Sequence, residues 1–281
     1  MPGNIKPKWL NKSIDLKACG EVKNLLRGLT LNTVCEEAKC PNMGECFSCG
    51  VVTIMILGSV CTRGCRFCGV AKSNPPLPDK DEPYRIKTAV EKLKLKHVVL
   101  TSPTRDDLPD GGLNQFITSV NILKTIDPAP DIEILVPDFG GNKDLWKQLA
   151  FIDADIIAHN VETVPSLYKE IRIGADYQRS LDLLKTVKEY NPDIITKSGL
   201  MLGLGESKAE VMQVLHDLRA VNCNSITIGQ YLAPSKKHYP VKEYIDIAIF
   251  SELESVALDL GFGQVKCAPY VRSSYLAQRP E

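Results

Sequence analysis

Thr53-Ile54-Met55-Ile56-Leu57 is followed, after Gly58-Ser59-Val60, by Cys61-Thr62-Arg63-Gly64-Cys65-Arg66-Phe67-Cys68. A short apolar run of strand length thus leads into three cysteines at C-x3-C-x2-C spacing, with an aromatic before the last. A run apolar throughout suits a strand covered on both faces. Three thiolates on one tight loop can bind three corners of a four-iron cluster. The fourth iron then keeps open coordination, the property that separates catalytic metal sites from closed structural ones. A zinc knuckle is the competing reading. Structural zinc takes four protein ligands, often as paired C-x2-C units, and a lone three-cysteine loop behind a strand fits that poorly.

Downstream, short apolar runs alternate with longer amphipathic ones. The pattern predicts strands over 53–57, 98–101, 132–136, 156–159, 197–202 and 225–230. It predicts helices over 114–126, 143–151, 179–189, 209–220 and 245–260, with a shorter one over 22–27. Val211, Val214, Leu215, Leu218 and Val221 make a 3.6-residue stripe on the fourth of these. Alternating strands and helices imply right-handed crossovers and a parallel sheet. Six strands are fewer than a complete eight-stranded barrel needs. The expected fold class is therefore α/β, a partial (β/α)6 parallel barrel with N-terminal and C-terminal extensions. The expected units are 1–50, 51–250 and 251–281. In such barrels the loops after the strands build the site. Here those loops are polar and glycine-rich, as in Thr101-Ser102-Pro103-Thr104-Arg105-Asp106-Asp107, Asp110-Gly111-Gly112 and Pro137-Asp138-Phe139-Gly140-Gly141. The charge run 79–82, behind Pro75, Pro76 and Pro78, reads as a solvated loop.

Bulk properties narrow the classes. The formal net charge is zero, which offers no electrostatic argument for nucleic acid. No apolar run approaches the roughly 20 residues that span a bilayer. The opening residues lack the apolar core of a secretion signal, so a cytoplasmic location is expected. Ten cysteines in a large chain without an export signal favour metal over disulfides. Seven of them cluster: Cys35, Cys40, Cys46, Cys49, Cys61, Cys65 and Cys68.

The upstream group, Cys35-Glu36-Glu37-Ala38-Lys39-Cys40-Pro41-Asn42-Met43-Gly44-Glu45-Cys46, has C-x4-C-x5-C spacing. Pro41 and Gly44 help the backbone to curl so that three sulfurs converge. On chemistry alone, a zinc site completed by Cys49 and an iron–sulfur site both remain open.

The downstream motif resembles the signature of the radical S-adenosylmethionine (SAM) superfamily, and the pair of motifs resembles the lipoyl synthase family. The likeness continues through Asp106-Asp107-Leu108, 159–165, 177–181 and 197–206 to Arg272-Ser273-Ser274-Tyr275. It implies a radical-SAM type of partial barrel and a sulfurtransferase. Such an enzyme inserts two sulfurs at C6 and C8 of an octanoyl chain carried on a protein, using two SAM molecules. It implies that Cys61, Cys65 and Cys68 hold the radical 4Fe–4S cluster. By the same resemblance, Cys35, Cys40 and Cys46 hold a sacrificial auxiliary 4Fe–4S cluster, completed by a serine of the C-terminal extension. Ser274 is favoured for that role, with Ser273 the alternative. A hard oxygen ligand suits a cluster that must come apart, because it matches soft iron–sulfur chemistry less well than thiolate. Gly199-x-Met201-x-Gly203-x2-Glu206 resembles the superfamily's adenine-side motif. Asn160, Glu162 and Lys197 lie near strand ends and, with Gly203 and Glu206, are the expected SAM contacts; ordinary hydrogen-bonding roles compete for each. His159 reads as a satisfied histidine at a strand end. Arg272 and Tyr275 read as clamps on the C-terminal segment. Implied partners are octanoylated lipoyl carrier domains, on dehydrogenase-complex acyltransferase subunits or the glycine cleavage H protein. An electron donor such as flavodoxin or ferredoxin and a cluster-rebuilding carrier protein are implied as well.

Overall fold

The computed structural model describes residues 7, 10 and 16–275; the rest of 1–15 and of the C-terminal extension, 276–281, lies outside the described residues. The first helices are α1 (Leu16–Gly28), α2 (Val34–Glu37) and α3 (Met43–Ser48). A two-residue strand, β1 (Asn32–Thr33), enters antiparallel to β2 (Val52–Met55). A short parallel pair, β3 (Val60–Cys61) and β4 (Ala71–Lys72), brackets the downstream cysteine loop. Then come β5 (His97–Thr101), β6 (Asp131–Leu135), β7 (Ile156–Ala158), β8 (Ile195–Leu202), β9 (Ser225–Gln230) and β10 (Gln264–Cys267). The main sheet runs β1-β2-β5-β6-β7-β8-β9-β10, and every neighbouring pair after the first is parallel. The crossovers are α4 (Glu82–Leu93), α5 (Leu113–Leu123), α6 (Lys143–Leu149), α7 (Tyr168–Ile171) with α8 (Tyr177–Tyr190), α9 (Lys208–Ala220) and α10 (Ile247–Asp259). This is the partial parallel barrel the pattern predicts, with a strand at each of the six expected places.

All residues of β5 and β9 are buried, so the polar residues that alternate with apolar ones along β9 do not face solvent. One large cluster, including Ile54, Leu100, Ile134, Ile157, Leu200 and Ile228, joins sheet to helices. Inward positions are partly polar. Lys197 Nζ donates to both carboxylate oxygens of the buried Glu133, at 2.9 and 2.8 Å. Burial opposes charge on Glu133, but Lys197 beside it holds the carboxyl below its usual range.

Helix ends follow local capping. Ser207 and Glu210 form a reciprocal capping box at the start of α9. Asp246 accepts from Ala248 N at 2.9 Å, so α10 begins at Ile247 and not at 245.

Two readings of the sequence need correction. Helix α4 is absent from the predicted set, and the run 79–82 is not wholly a solvated loop. Pro83 starts α4 without cost, because the first helical turn has no intrahelical partner for its missing N–H. Glu82 is only 4% exposed, and its carboxylate accepts from Leu57 N and Gln115 Nε2, both at 2.9 Å. The carboxylate ties the end of the first barrel strand to two helices, a job that local charge patterning does not reveal. Replacing Glu82 by Leu leaves the Leu57 amide buried without an acceptor. That should lower stability by about 1–3 kcal/mol, read as a fall in the chemical-denaturation midpoint, whereas Glu82→Gln keeps an acceptor and loses less.

Candidate functional site

The loop 61–68 is pinned by backbone bonds on several sides. Thr62 N donates to Thr104 O (3.0 Å), Arg66 N to Ile171 O (2.8 Å), and Tyr239 N to Arg66 O (2.8 Å). His238 Nε2 lies 3.1 Å from Cys68 O. Cys61, Cys65 and Cys68 face a cavity of about 200 Å³ over the C-terminal ends of the strands. Met55, Thr101, His159, Asn160, Glu162 and Arg172 share its lining. Burial pushes the Cys65 thiol up to about 11 and Cys68 up to about 12, and the neighbouring triad sulfurs push in the same direction. Such thiols stay protonated near neutrality unless a metal takes the proton's place.

Asn160 and Glu162 project into this cavity. Asn160 Nδ2 donates to Glu162 Oε1 (3.0 Å) and to Ser273 Oγ (2.6 Å), while its Oδ1 is buried with no partner. Glu162 is held at φ +65, a left-handed conformation that is costly without a glycine. Its backbone is clamped to β8 by Glu162 N to Gly199 O (2.9 Å) and Met201 N to Glu162 O (2.9 Å). Burial raises the Glu162 carboxyl, and Arg172 partly offsets that. An orphaned acceptor, a strained acid and a half-buried guanidinium facing one cavity suit a zwitterionic ligand such as SAM.

Arg172 was missed in the sequence. It packs half-buried against the Tyr168 ring at 5.4 Å and donates to Tyr168 Oη (2.8 Å) and Ser180 Oγ (2.9 Å). It sits in a loop with no spacing signal, so only the fold brings its charge to Cys65. His159 is satisfied, as expected: Nδ1 donates to Val136 O at 2.8 Å, and Nε2 lies 3.1 Å from Ser180 Oγ.

The other three expected SAM contacts do not line this cavity. Lys197 is occupied with Glu133. The Glu206 carboxylate accepts from Gly203 N (2.5 Å) and Leu204 N (2.9 Å), closing its own turn. Gly203, at φ +94, lies so close to Gln230 and Glu243 that no side chain fits there.

The upstream cysteines form a second site. Cys35 lies on α2, which Thr33 caps by accepting from Glu36 N at 3.2 Å. Lys39, at φ +51, turns the chain before Cys40, and Cys46 lies on α3. All three line a small cavity together with Thr53, Arg272, Ser274 and Tyr275. Burial, followed by the nearby Cys40 and Cys46 sulfurs, pushes Cys35 up to about 12. Ser274 Oγ accepts from Thr53 Oγ1 at 2.7 Å, whereas Ser273 faces Asn160 in the first site. Cys49 is exposed and does not line this cavity. Tyr275 Oη donates to Glu45 Oε1 (3.0 Å), tying the C-terminal segment to α3. Among the described residues, no three of His, Cys, Asp or Glu gather tightly enough for one metal ion. A cluster with one thiolate on each of several irons needs a wider spread than a single zinc does.

Comparison with known proteins places the chain among relatives over nearly its whole length. The Radical SAM superfamily model matches residues 55–218. A lipoyl synthase of Geotalea uraniireducens is 51% identical over 274 residues, covering 98% of this chain and 96% of the relative. One of Trichlorobacter lovleyi is 52% identical over 273 residues, covering 97% of each. Among solved structures, methylornithine synthase superposes with a TM-score of 0.55 at 14% identity, over 94% of this chain and 88% of its own. That last likeness concerns the fold.

Two measurements check the electrostatics. Burial and the Arg172 charge depress His159 to about 4 from an ordinary 6.5. The folded state therefore refuses a proton that the unfolded chain accepts. Stability contributed through His159 should be intact above pH 6.5 and decline steadily as the pH falls toward 4. The decline should be shallower in His159→Asn, as seen in denaturation midpoints across that range. Lys197→Met strands the Glu133 charge and should cost about 3–5 kcal/mol, while Lys197→Met with Glu133→Gln should recover most of it.

Proposed function

The chain belongs to the lipoyl synthase family of the radical SAM superfamily, and we propose that its two cysteine triads divide that family's reaction between them. The enzyme is a sulfurtransferase. It inserts two sulfur atoms at C6 and C8 of a protein-bound octanoyl chain, consuming two SAM molecules and a sacrificial auxiliary cluster. Its cofactors are 4Fe–4S clusters and SAM, and its substrates are lipoyl carrier proteins. When bound, cluster and SAM together supply a 5′-deoxyadenosyl radical able to take hydrogen from an unactivated C–H bond, which acid–base side chains cannot do.

In this reading Cys61, Cys65 and Cys68 hold the radical cluster, and Cys35, Cys40, Cys46 and Ser274 hold the auxiliary one. The observation that carries it is the pair of separate cavities, each lined by one triad, with Ser274 lining the upstream one while its neighbour Ser273 is bonded to Asn160. Asn160 and Glu162 bind the amino-acid end of SAM, with Arg172 answering its carboxylate. Lys197, Gly203 and Glu206 act from behind, by fixing strand and turn. The Ser274 oxygen is a harder donor than the three thiolates, and Thr53 donates to it, which steadies an alkoxide. Loading either triad releases protons from thiols that burial keeps neutral.

The carrier domains we propose are those of dehydrogenase-complex acyltransferase subunits or the glycine cleavage H protein. Flavodoxin or ferredoxin would supply electrons, and an iron–sulfur carrier would rebuild the auxiliary cluster. Among the described residues no helix is long and apolar enough to cross a membrane, which is compatible with the cytoplasmic location we propose.

The test is an anaerobic assay of reconstituted protein with SAM, a reductant and an octanoylated lipoyl domain, followed by mass spectrometry. Product should gain two sulfurs. Cluster assembly and SAM cleavage without any gain would refute the substrate assignment. Alanine at Cys61, Cys65 or Cys68 should abolish SAM cleavage. Alanine at Cys35, Cys40, Cys46 or Ser274 should leave cleavage measurable but no lipoyl product. Identical failure of both groups with both clusters assembled would defeat the division of labour.

A further inference from the structure

Arg63 lies inside the radical motif, between Cys61 and Cys65, yet its side chain points to neither sulfur cavity. It reaches two loops that follow different strands. Nε and Nη2 donate to the two oxygens of Asp106 beyond β5, both at 2.7 Å. Nη1 and Nη2 meet the two oxygens of Asp138 beyond β6, at 2.9 and 2.7 Å. Both carboxylates thus receive paired contacts from one planar fork, a geometry that lysine cannot reproduce. Asp138 is itself fixed: Gly140 N (3.1 Å) and Arg179 Nη1 (3.1 Å) also donate to it. Its side chain is 1% exposed, against 40% for Asp106. Two guanidiniums and two carboxylates make a neutral set, so the buried charge is compensated. The Gly174 Cα, at φ +81, covers the Arg63 stem so closely that an added Cβ would stand 3.3 Å from Arg63 Cδ. Thr62 completes the fastening, with its Oγ1 donating to Thr104 O (2.9 Å) and accepting from Asp106 N (3.1 Å).

We propose that Arg63 is the positioning residue of the radical site: it fixes the loop bearing Cys61, Cys65 and Cys68 against the ends of β5 and β6, in the register that SAM cleavage requires. The inference rests on the assignment of that triad to the radical cluster. A loop free to shift by about an ångström would hold thiolates and SAM in unproductive geometry, a displacement that can cost on the order of a hundredfold in rate.

Wild type, Arg63→Lys, Arg63→Gln and Arg63→Gln with Asp138→Asn are compared as full-length, anaerobically reconstituted proteins. The double variant removes one carboxylate that the single change leaves underneutralised, so the test survives if Arg63→Gln folds poorly. Iron content should match wild type. The kcat for SAM cleavage should fall about a hundredfold in Arg63→Gln and about tenfold in Arg63→Lys, with the KM for SAM moving much less. The change that SAM induces in the electron paramagnetic resonance spectrum of the reduced radical cluster should be altered, with the auxiliary signal unchanged. Amide exchange over 61–68 should accelerate. Wild-type kcat and spectra in Arg63→Lys and in the glutamine variants would overturn the proposal. So would activity lost only in proportion to iron lost, which would make Arg63 an assembly residue. Failure of the wild type to cleave SAM would instead overturn the radical assignment, and the exchange measurement would still report on the fastening.

Discussion

The arrangement depends on the return of the chain after β10 across the open side of the barrel. The sheet does not close on itself, since β1 and β10 are its two edges. The segment that follows β10 is bonded to both halves. Asn42 Nδ2 donates to Tyr270 O (2.5 Å) on the side of the N-terminal helices, and Gln230 N donates to Pro269 O (3.1 Å) on the side of β9. Each such bond contributes only about 1 kcal/mol net. Their effect is geometric, because they place two neighbouring hydroxyls in two different cavities. Arg272 lines both the Glu162 side and the Cys40 side, so one half-buried cation lies between them.

That return also explains two glycines inside strands. A Cβ on Gly229 would collide with Val271 O, and one on Gly199 would stand 2.9 Å from Ser273 Oγ and 2.8 Å from Asn160 Oδ1. Interior strand glycines mark close approach of another backbone. Gly199 thus makes room for the C-terminal segment, so its part in a cofactor motif is at one remove. Gly203 and Glu206 act similarly, shaping a turn by backbone bonds.

The six barrel strands were legible because each carries a short core of Ile, Val or Leu, and turn residues bound each run. The cysteine triads were legible because metal ligands on one loop impose their own spacing. Harder features lacked a local signature. Helix α4 begins in a charge run whose key acid, Glu82, is buried by contacts with Leu57 and Gln115, distant in sequence. Strand β10 has few apolar residues of its own and is paired only along β9. Arg172 and the Lys197–Glu133 pair acquire meaning from partners on other elements. Lys197 at a strand looked available for a ligand, but a carboxylate buried 64 positions away had a prior claim. Choosing between Ser273 and Ser274 was beyond sequence logic, since adjacent hydroxyls differ only in what the fold presents to them.

The Radical SAM superfamily match covers 55–218, from the end of β2 into α9. It contains the downstream triad and most of the lining of the cavity above it. It excludes Cys35, Cys40, Cys46 and Ser274. A barrel shared with methylornithine synthase at 14% identity concerns the fold, and says nothing of what this chain acts on. What this chain adds lies in its two ends, which meet through Asn42 with Tyr270 and Glu45 with Tyr275. The ends contribute little core of their own, so their mutual contact needs the barrel as a base. The barrel in turn gains its second cysteine cavity only when both ends are in place. The two cysteine cavities are therefore lined by different parts of the chain, and the second exists only in the complete fold.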